Sequence, residues 1–228
     1  ESKGKAPSEK EEFYRIYGLD VLVADYNNQR LQRYDKDLNF ISSYRSEPSL
    51  DQNLQFGFPT AIVLSSAGEL FVADHEFNRI LRFDSFGVPK ASFGDFNWGE
   101  GGLEQPAKLL ITKEGDLFVS DSAQNAIFLY DAYGNFIPNT QAYFSSTIGG
   151  WPSDLDAGAA WPAEGFDLSP DGATIAYVVN EEGYSKVVLR DVASGRVLPG
   201  PDLPQGVLTA LKFSPDGARL GLSLSTYN

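Results

Sequence analysis

One segment recurs three times in this 228-residue chain: Val23-Ala24-Asp25-Tyr26-Asn27-Asn28-Gln29-Arg30, Val72-Ala73-Asp74-His75-Glu76-Phe77-Asn78-Arg79 and Val119-Ser120-Asp121-Ser122-Ala123-Gln124-Asn125-Ala126. The aspartates lie 49 and 47 residues apart. An aromatic follows each by nine residues (Tyr34, Phe83, Tyr130), and a second aspartate by ten (Asp35, Asp84, Asp131). A repeat of this length is a unit that cannot bury its faces alone and must stack on its neighbours. It leaves the ligand open, because repeat scaffolds host many unrelated functions.

Each unit reads as short strands. In the second, Ala61–Leu64 precedes the turn Ser65-Ser66-Ala67-Gly68. Glu69–Asp74, Arg79–Asp84 and Val88–Phe93 follow as three more strands. The third unit copies this order, and Pro59 and Pro106 each stand 15 residues before their aspartate. No segment of helical length keeps a 3.6-residue period. Four antiparallel strands at this spacing predict propeller blades. The first unit starts irregularly, with Phe13–Tyr17 placed where its first strand belongs.

After Ile137 the pattern changes. Residues 138–163 read as a connector rich in Gly, Pro, Ser and Ala. Two units of a second kind follow, Phe166-Asp167-Leu168-Ser169-Pro170-Asp171-Gly172 and Leu211-Lys212-Phe213-Ser214-Pro215-Asp216-Gly217. In each turn Pro fixes φ and Gly supplies positive φ. The division is therefore a polar tail at 1–12, three blades at 13–137, the connector, and two blades at 164–228. The last blade stops two strands short. The expected fold is all-β, a β-propeller of about five four-stranded blades. Its ring would close through the N-terminal segment or through a second chain.

Asp74, Asn78, Arg79, Phe83 and Asp84, with their counterparts, resemble the NHL repeat of one propeller family. The third repeat departs from it by placing Ala126 where the arginine belongs. The Ser-Pro-Asp-Gly units, with Leu189-Arg190-Asp191-Val192-Ala193-Ser194-Gly195, resemble TolB-type and prolyl-oligopeptidase-type blades. Two blade types in one chain suggest a join of two propeller fragments, natural or engineered. The absence of methionine fits an excised or engineered chain. If natural, the second resemblance implies a bacterial extracytoplasmic setting.

The net charge of −13 disfavours nucleic acid and anionic membrane surfaces as partners, since both bind through cations. Cysteine is absent, which removes thiol nucleophiles and thiolate metal sites. His75 is the only histidine, so a histidine-rich metal site has no second ligand. No Gly-x-Ser-x-Gly elbow occurs, so the resemblance to prolyl-oligopeptidase propellers brings no hydrolase domain with it.

Asp25, Asp74 and Asp121 admit two readings. They could ring a central channel and hold calcium. They could instead accept backbone N–H groups in their own turns or pair with Arg30 and Arg79. Recurrence in every unit favours the second, because a fold device must recur and a site need not. Tyr34, Phe83 and Tyr130 read as core between blades, and His75 as a surface loop residue. Trp98, Trp151 and Trp161 lie in long connections and are the candidate contacts for a partner or a sugar. The leading expectation is a non-enzymatic scaffold without a cofactor, with any binding through its channel face; its expected partners are a protein or a second copy of the chain. A partner- or ligand-binding fragment of a larger bacterial extracytoplasmic or peptidase-like protein comes second, and a calcium-dependent lyase or lactonase third.

Overall fold

A computed structural model describes residues 20–46, 51–95, 101–124, 126–137, 165–181 and 184–226. The described residues form strands and turns with two short 3-10 segments and no α-helix. Sheet one holds β1 (Val21–Asp25), β2 (Arg30–Tyr34) and β3 (Phe40–Tyr44). Sheet two holds β4 (Pro59–Leu64), β5 (Leu70–Asp74), β6 (Arg79–Phe83) and β7 (Pro89–Phe93). Sheet three holds β8 (Pro106–Ile111), β9 (Leu117–Asp121) and β10 (Ala126–Tyr130). Sheet four holds β11 (Phe166–Leu168), β12 (Thr174–Glu181), β13 (Tyr184–Asp191) and β14 (Val197–Leu198). Sheet five holds β15 (Gly206–Phe213) and β16 (Leu220–Thr226). Every pairing is antiparallel between strands adjacent in sequence.

Alternation along each strand sends side chains to two faces, and both faces are used. Four apolar layers lie between the five sheets. The first joins Leu22, Leu31 and Tyr44 to Leu70, Val72, Leu81 and Phe83. The second joins Phe71, Ala73 and Ile80 to Leu109, Leu117, Val119 and Phe128. The third joins Phe118 and Ile127 to Phe166, Ile175 and Tyr177. The fourth joins Ala176, Val178 and Val187 to Leu208 and Leu211. This face-to-face stacking in chain order is a β-propeller arrangement. The first strands of successive blades lie side by side, β4 by β8 and β11 by β15.

Pro59 and Pro106 open β4 and β8, where a missing N–H costs no internal ladder bond. A bulge follows each. Only sheets two and four show all four strands among the described residues. The Phe13–Tyr17 strand and the 138–163 connector lie outside them. β15 starts at Gly206, five residues ahead of the expected strand at Leu211. At Gly206 a Cβ would lie 2.4 Å from the Ser225 carbonyl oxygen, so only glycine admits this close pairing.

Candidate binding face

Pairing registers put the start of each first strand, the end of the second and the start of the third at one end of the blade. Pro59 faces Asp74, and Asp74 faces Arg79; Pro106 faces Asp121, and Asp121 faces Ala126. This end therefore gathers turns 26–29, 75–78 and 122–124 with the loops that lead into β4 and β8.

Asp74 and Asp121 tie these pieces together. Asp74 Oδ1 accepts N–H bonds from Gly57, Phe58 and Glu76, each at 3.2 Å. Asp121 Oδ2 accepts from Glu104 at 2.6 Å and Gln105 at 3.0 Å. Its Oδ1 accepts from Ala123 at 3.0 Å and Gln124 at 2.9 Å. Each carboxylate is fully buried. One side chain thus fixes its own turn and the entering loop of its blade. Asp25 is less buried. It bonds Arg30 Nε at 2.7 Å and the Asn28 amide at 2.8 Å.

Electrostatics differ accordingly. The Arg30 bond, helped by Asn28, holds the Asp25 carboxyl below its usual value. Burial pushes Asp74 up, against the N–H groups of Gly57, Glu76 and Phe58 and the charge of Arg79. Arg79 stands back from it at 4.0 Å. The guanidinium donates instead to the Gln52 and Gln55 carbonyls, both at 2.8 Å, and stacks 4.8 Å from the Phe77 ring. In the third blade, with Ala126 in the arginine position, Gln124 donates to the Gly102 carbonyl at 2.8 Å. A shorter amide three residues past the aspartate replaces an arginine five past it. Sequence reasoning missed this substitution, although Gln124 beside the lost arginine was its signal.

Asp35, Asp84 and Asp131 occupy the opposite end. Each Oδ1 accepts two N–H bonds in its own turn: from Asp37 and Asn39, from Phe86 and Val88, and from Tyr133 and Asn135, all at 2.9 Å. The Asn39 amide is the main cause that holds Asp35 below its usual value. Burial raises Asp84 and Asp131, but Lys90, Asn135 and turn N–H groups bring each below the usual value. Phe83 and Tyr130 are buried between blades, and Tyr130 donates to the Gly101 carbonyl. Burial, with the Asp121 charge, pushes the Tyr130 hydroxyl above its usual range. Tyr34 is only half-buried and meets Phe40 edge-on at 5.8 Å. His75 is half-buried rather than free at the surface. Its ring centroid lies 5.8 Å from Tyr26, whose ring lies 5.0 Å from Phe58 across the blade junction.

The last two blades use other contacts. The buried Asp167 of β11 accepts from Lys212 Nζ and from the Phe213 N–H of β15, both at 2.8 Å. Their turns are near copies. Ser169 Oγ bonds Asp171 at 2.6 Å and accepts from Thr174 N–H at 2.9 Å; Ser214 does the same with Asp216 and Arg219 at 2.6 and 2.9 Å. A shallow cleft between β13 and residues 201–205 is lined by Tyr184, Lys186, Pro201, Asp202 and Gln205.

Among the described residues no three His, Cys, Asp or Glu side chains converge to hold a metal ion, so Asp25, Asp74 and Asp121 are not brought together. Trp98, Trp151 and Trp161 lie outside the described residues.

No protein-family model matches the chain, and no curated protein matches it. Solved structures do. Hydrazine synthase of Kuenenia stuttgartiensis matches with a TM-score of 0.62 and 18% identity over 90% of this chain and 52% of that one. A catalytically inactive virginiamycin B lyase of Staphylococcus aureus, with quinupristin, matches with a TM-score of 0.53 and 16% identity over 84% and 55%. The chain spans about half the length of each. At these identities the likeness is one of fold. The class is thus a β-propeller, on its five stacked sheets and on these neighbours.

Proposed function

We propose that this chain is a non-enzymatic propeller scaffold that presents the loop end of its blades to a protein partner. The observation that supports it most is the double clamp. Asp74 and Asp121 are buried and accept backbone N–H groups of turn and loop, Asp121 through both oxygens and Asp74 through Oδ1 alone, so they hold loops in place. Loops fixed in this way offer a pre-ordered surface, which lowers the entropy cost of binding.

In this reading three NHL-type blades join two TolB-like or prolyl-oligopeptidase-like blades, through residues 138–163. Its support is the change of contact. The first kind clamps with an aspartate at the end of the second strand, the second kind with Asp167 on the first strand. A single natural homologue that aligns across residues 130–170 would end the idea of a join. The second reading, a binding fragment of a larger peptidase-like protein, rests on the paired Ser-Pro-Asp-Gly turns.

Two measurements test the proposal. Amide exchange reads the platform: Glu104 and Gln105 are expected to exchange far more slowly than the turn amides of Tyr133 and Asn135. Equal rates overturn the fixed-loop argument. A calcium titration followed by melting temperature, with quinupristin as trial substrate, reads the lyase alternative. No rise and no turnover are expected, and a rise in melting temperature would favour the lyase, because a ligand of the native state stabilises it.

A further inference from the structure

An aspartate followed by glycine is a chemically weak point of a chain, because glycine puts no side chain in the way of its own amide nitrogen. The chain holds two such pairs, Asp171-Gly172 and Asp216-Gly217, and no Asn-Gly pair. Both stand at the tip of a Ser-Pro-Asp-Gly turn, with Asp171 and Asp216 exposed. In the rearrangement the Gly nitrogen attacks Cγ of the aspartic acid. A C–N bond forms and one Cγ–O bond breaks. The oxygen leaves as water, taking the amide proton and the proton of the neutral carboxylic acid. Water then opens the cyclic imide at either carbonyl. One opening restores aspartate. The other leaves isoaspartate, with the backbone running through Cβ and Cγ and one carbon longer. The sum is an isomerisation that needs no oxidant and no reactant besides water.

The folded turns both prepare this attack and restrain it. Asp171 Oδ1 accepts from the Ala173 N–H at 3.0 Å, and Asp216 Oδ1 from the Ala218 N–H at 3.1 Å. To reach an amide two residues on, each side chain folds back over the Gly nitrogen in between. Two bonds oppose the reaction. The Gly172 and Gly217 N–H groups are committed to the Ser169 and Ser214 carbonyls, both at 2.8 Å. The Ser169 and Ser214 hydroxyls donate to the carboxylates, both at 2.6 Å. That bond favours the ionised form, which cannot release its oxygen as water. It is the largest cause that holds each carboxyl below its usual value.

The two turns are not held alike. Ser169 is buried, and the Ala173 carbonyl accepts from the Val192 N–H at 2.8 Å, which ties that turn to the far end of β13. Ser214 is half-buried, and among the described residues no such bond reaches the Ala218 carbonyl. Gly172 is half-buried and Gly217 exposed.

We propose that Asp216-Gly217 is a site of spontaneous covalent modification, aspartate to isoaspartate, and that the Ser214 hydroxyl sets its rate. Asp171-Gly172 carries the same chemistry under a firmer hold. Conversion at Asp216 lengthens the turn that joins β15 to β16 and removes the carboxylate from its Ser214 and Ala218 bonds.

The test ages the full chain at neutral pH and body temperature, then digests it. Mass does not change, so isoaspartate is read peptide by peptide through its methylation by an isoaspartyl carboxyl methyltransferase. The same chain in urea gives the rates without turns. Both pairs sit in the identical stretch Ser-Pro-Asp-Gly-Ala, so in urea they are expected to react alike. In the folded chain Asp216 is expected to convert several-fold faster than Asp171 and more slowly than in urea. Ser214→Ala should raise the Asp216 rate several-fold, and Asp216→Glu should abolish the signal from that peptide. Equal conversion at the two pairs in the folded chain overturns the proposal. So does a folded Asp216 that reacts as fast as in urea, or a Ser214→Ala chain that converts no faster than the unaltered one. The first two outcomes come from the unaltered chain, so they decide the matter even where Ser214→Ala disturbs folding.

Discussion

Replacing Asp121 by alanine should be among the most damaging single changes in the third blade. The carboxylate is fully buried and accepts four backbone N–H bonds, from Glu104, Gln105, Ala123 and Gln124. Each charge-assisted bond contributes about 1.5 kcal/mol net. The two loop amides lose theirs in full. The turn amides reach water more easily and lose about half, which gives a total of about 4.5 kcal/mol. A domain of this kind has a net stability of about 5–15 kcal/mol, so the change removes a large part of it. Asp121→Asn keeps one accepting oxygen and should cost about half as much. Equilibrium urea unfolding followed by far-ultraviolet circular dichroism measures both. Asp25→Ala is the control, since that carboxylate holds a partly exposed Arg30 and Asn28. A loss for Asp121→Ala below about 1 kcal/mol, or no larger than that for Asp25→Ala, refutes the clamp.

Asp74 gives a pH test of opposite sign to ordinary carboxylates. Its folded value is raised by burial, so the unfolded chain gives up the proton first and stability falls as pH rises from about 4 toward the folded value. Asp74→Asn should remove that fall, seen as a difference in melting temperature against pH; parallel curves would contradict it. Asp35, Asp84 and Asp131 are lowered, so their contribution is present above about pH 4 and lost as pH falls through their folded values, and Asp35→Asn should flatten that acid limb. Glycine turns separate strain from clash. Gly172 has φ +79° and open space around a built Cβ, so Gly172→Ala should cost about 1 kcal/mol in urea unfolding. Gly134 has φ +88° with Phe93 at 2.4 Å from that Cβ, so Gly134→Ala should cost at least about twice as much; equal costs would show that Phe93 moves aside.

The turns and strand order were legible because their causes are local. Asp84 with Gly87, and Ser169 with Asp171 and Gly172, satisfy each other within five residues, so a short window of sequence contains the whole device. The clamps were half legible. The repeated aspartate is visible, but its loop partners Gly57 and Glu104 lie 17 residues upstream in irregular backbone with no shared pattern. The Asp167–Lys212 contact left a trace that was not used: two residues at the same place in successive units carry opposite charges. Tyr34 is half-buried where Phe83 and Tyr130 are buried, and its own repeat does not encode the difference, since among the described residues no sheet packs beyond it.

The contact between the third and fourth sheets shows how blades with different internal contacts share one stack. Phe118 and Ile127 meet Phe166, Ile175 and Tyr177 there, and β8 reaches β11 through Lys108, which donates to the Phe166 carbonyl and lies 4.8 Å from its ring. None of these residues takes part in an aspartate clamp or a Ser-Pro-Asp-Gly turn. The devices that set each blade type act mostly inside a blade, or between blades of one type, as Asp167 does with Phe213. Apart from the Lys108 contact, the packing between these sheets rests on apolar side chains of the right parity and size, which tolerates change well when volume is kept. Blade identity and blade stacking are therefore separable in this chain. Exchange of a blade at that boundary is expected to preserve the stack so long as its facing side chains fill the layer, whereas a cut between residues 105 and 121 parts Asp121 from Glu104 and Gln105 and loses the loop it holds.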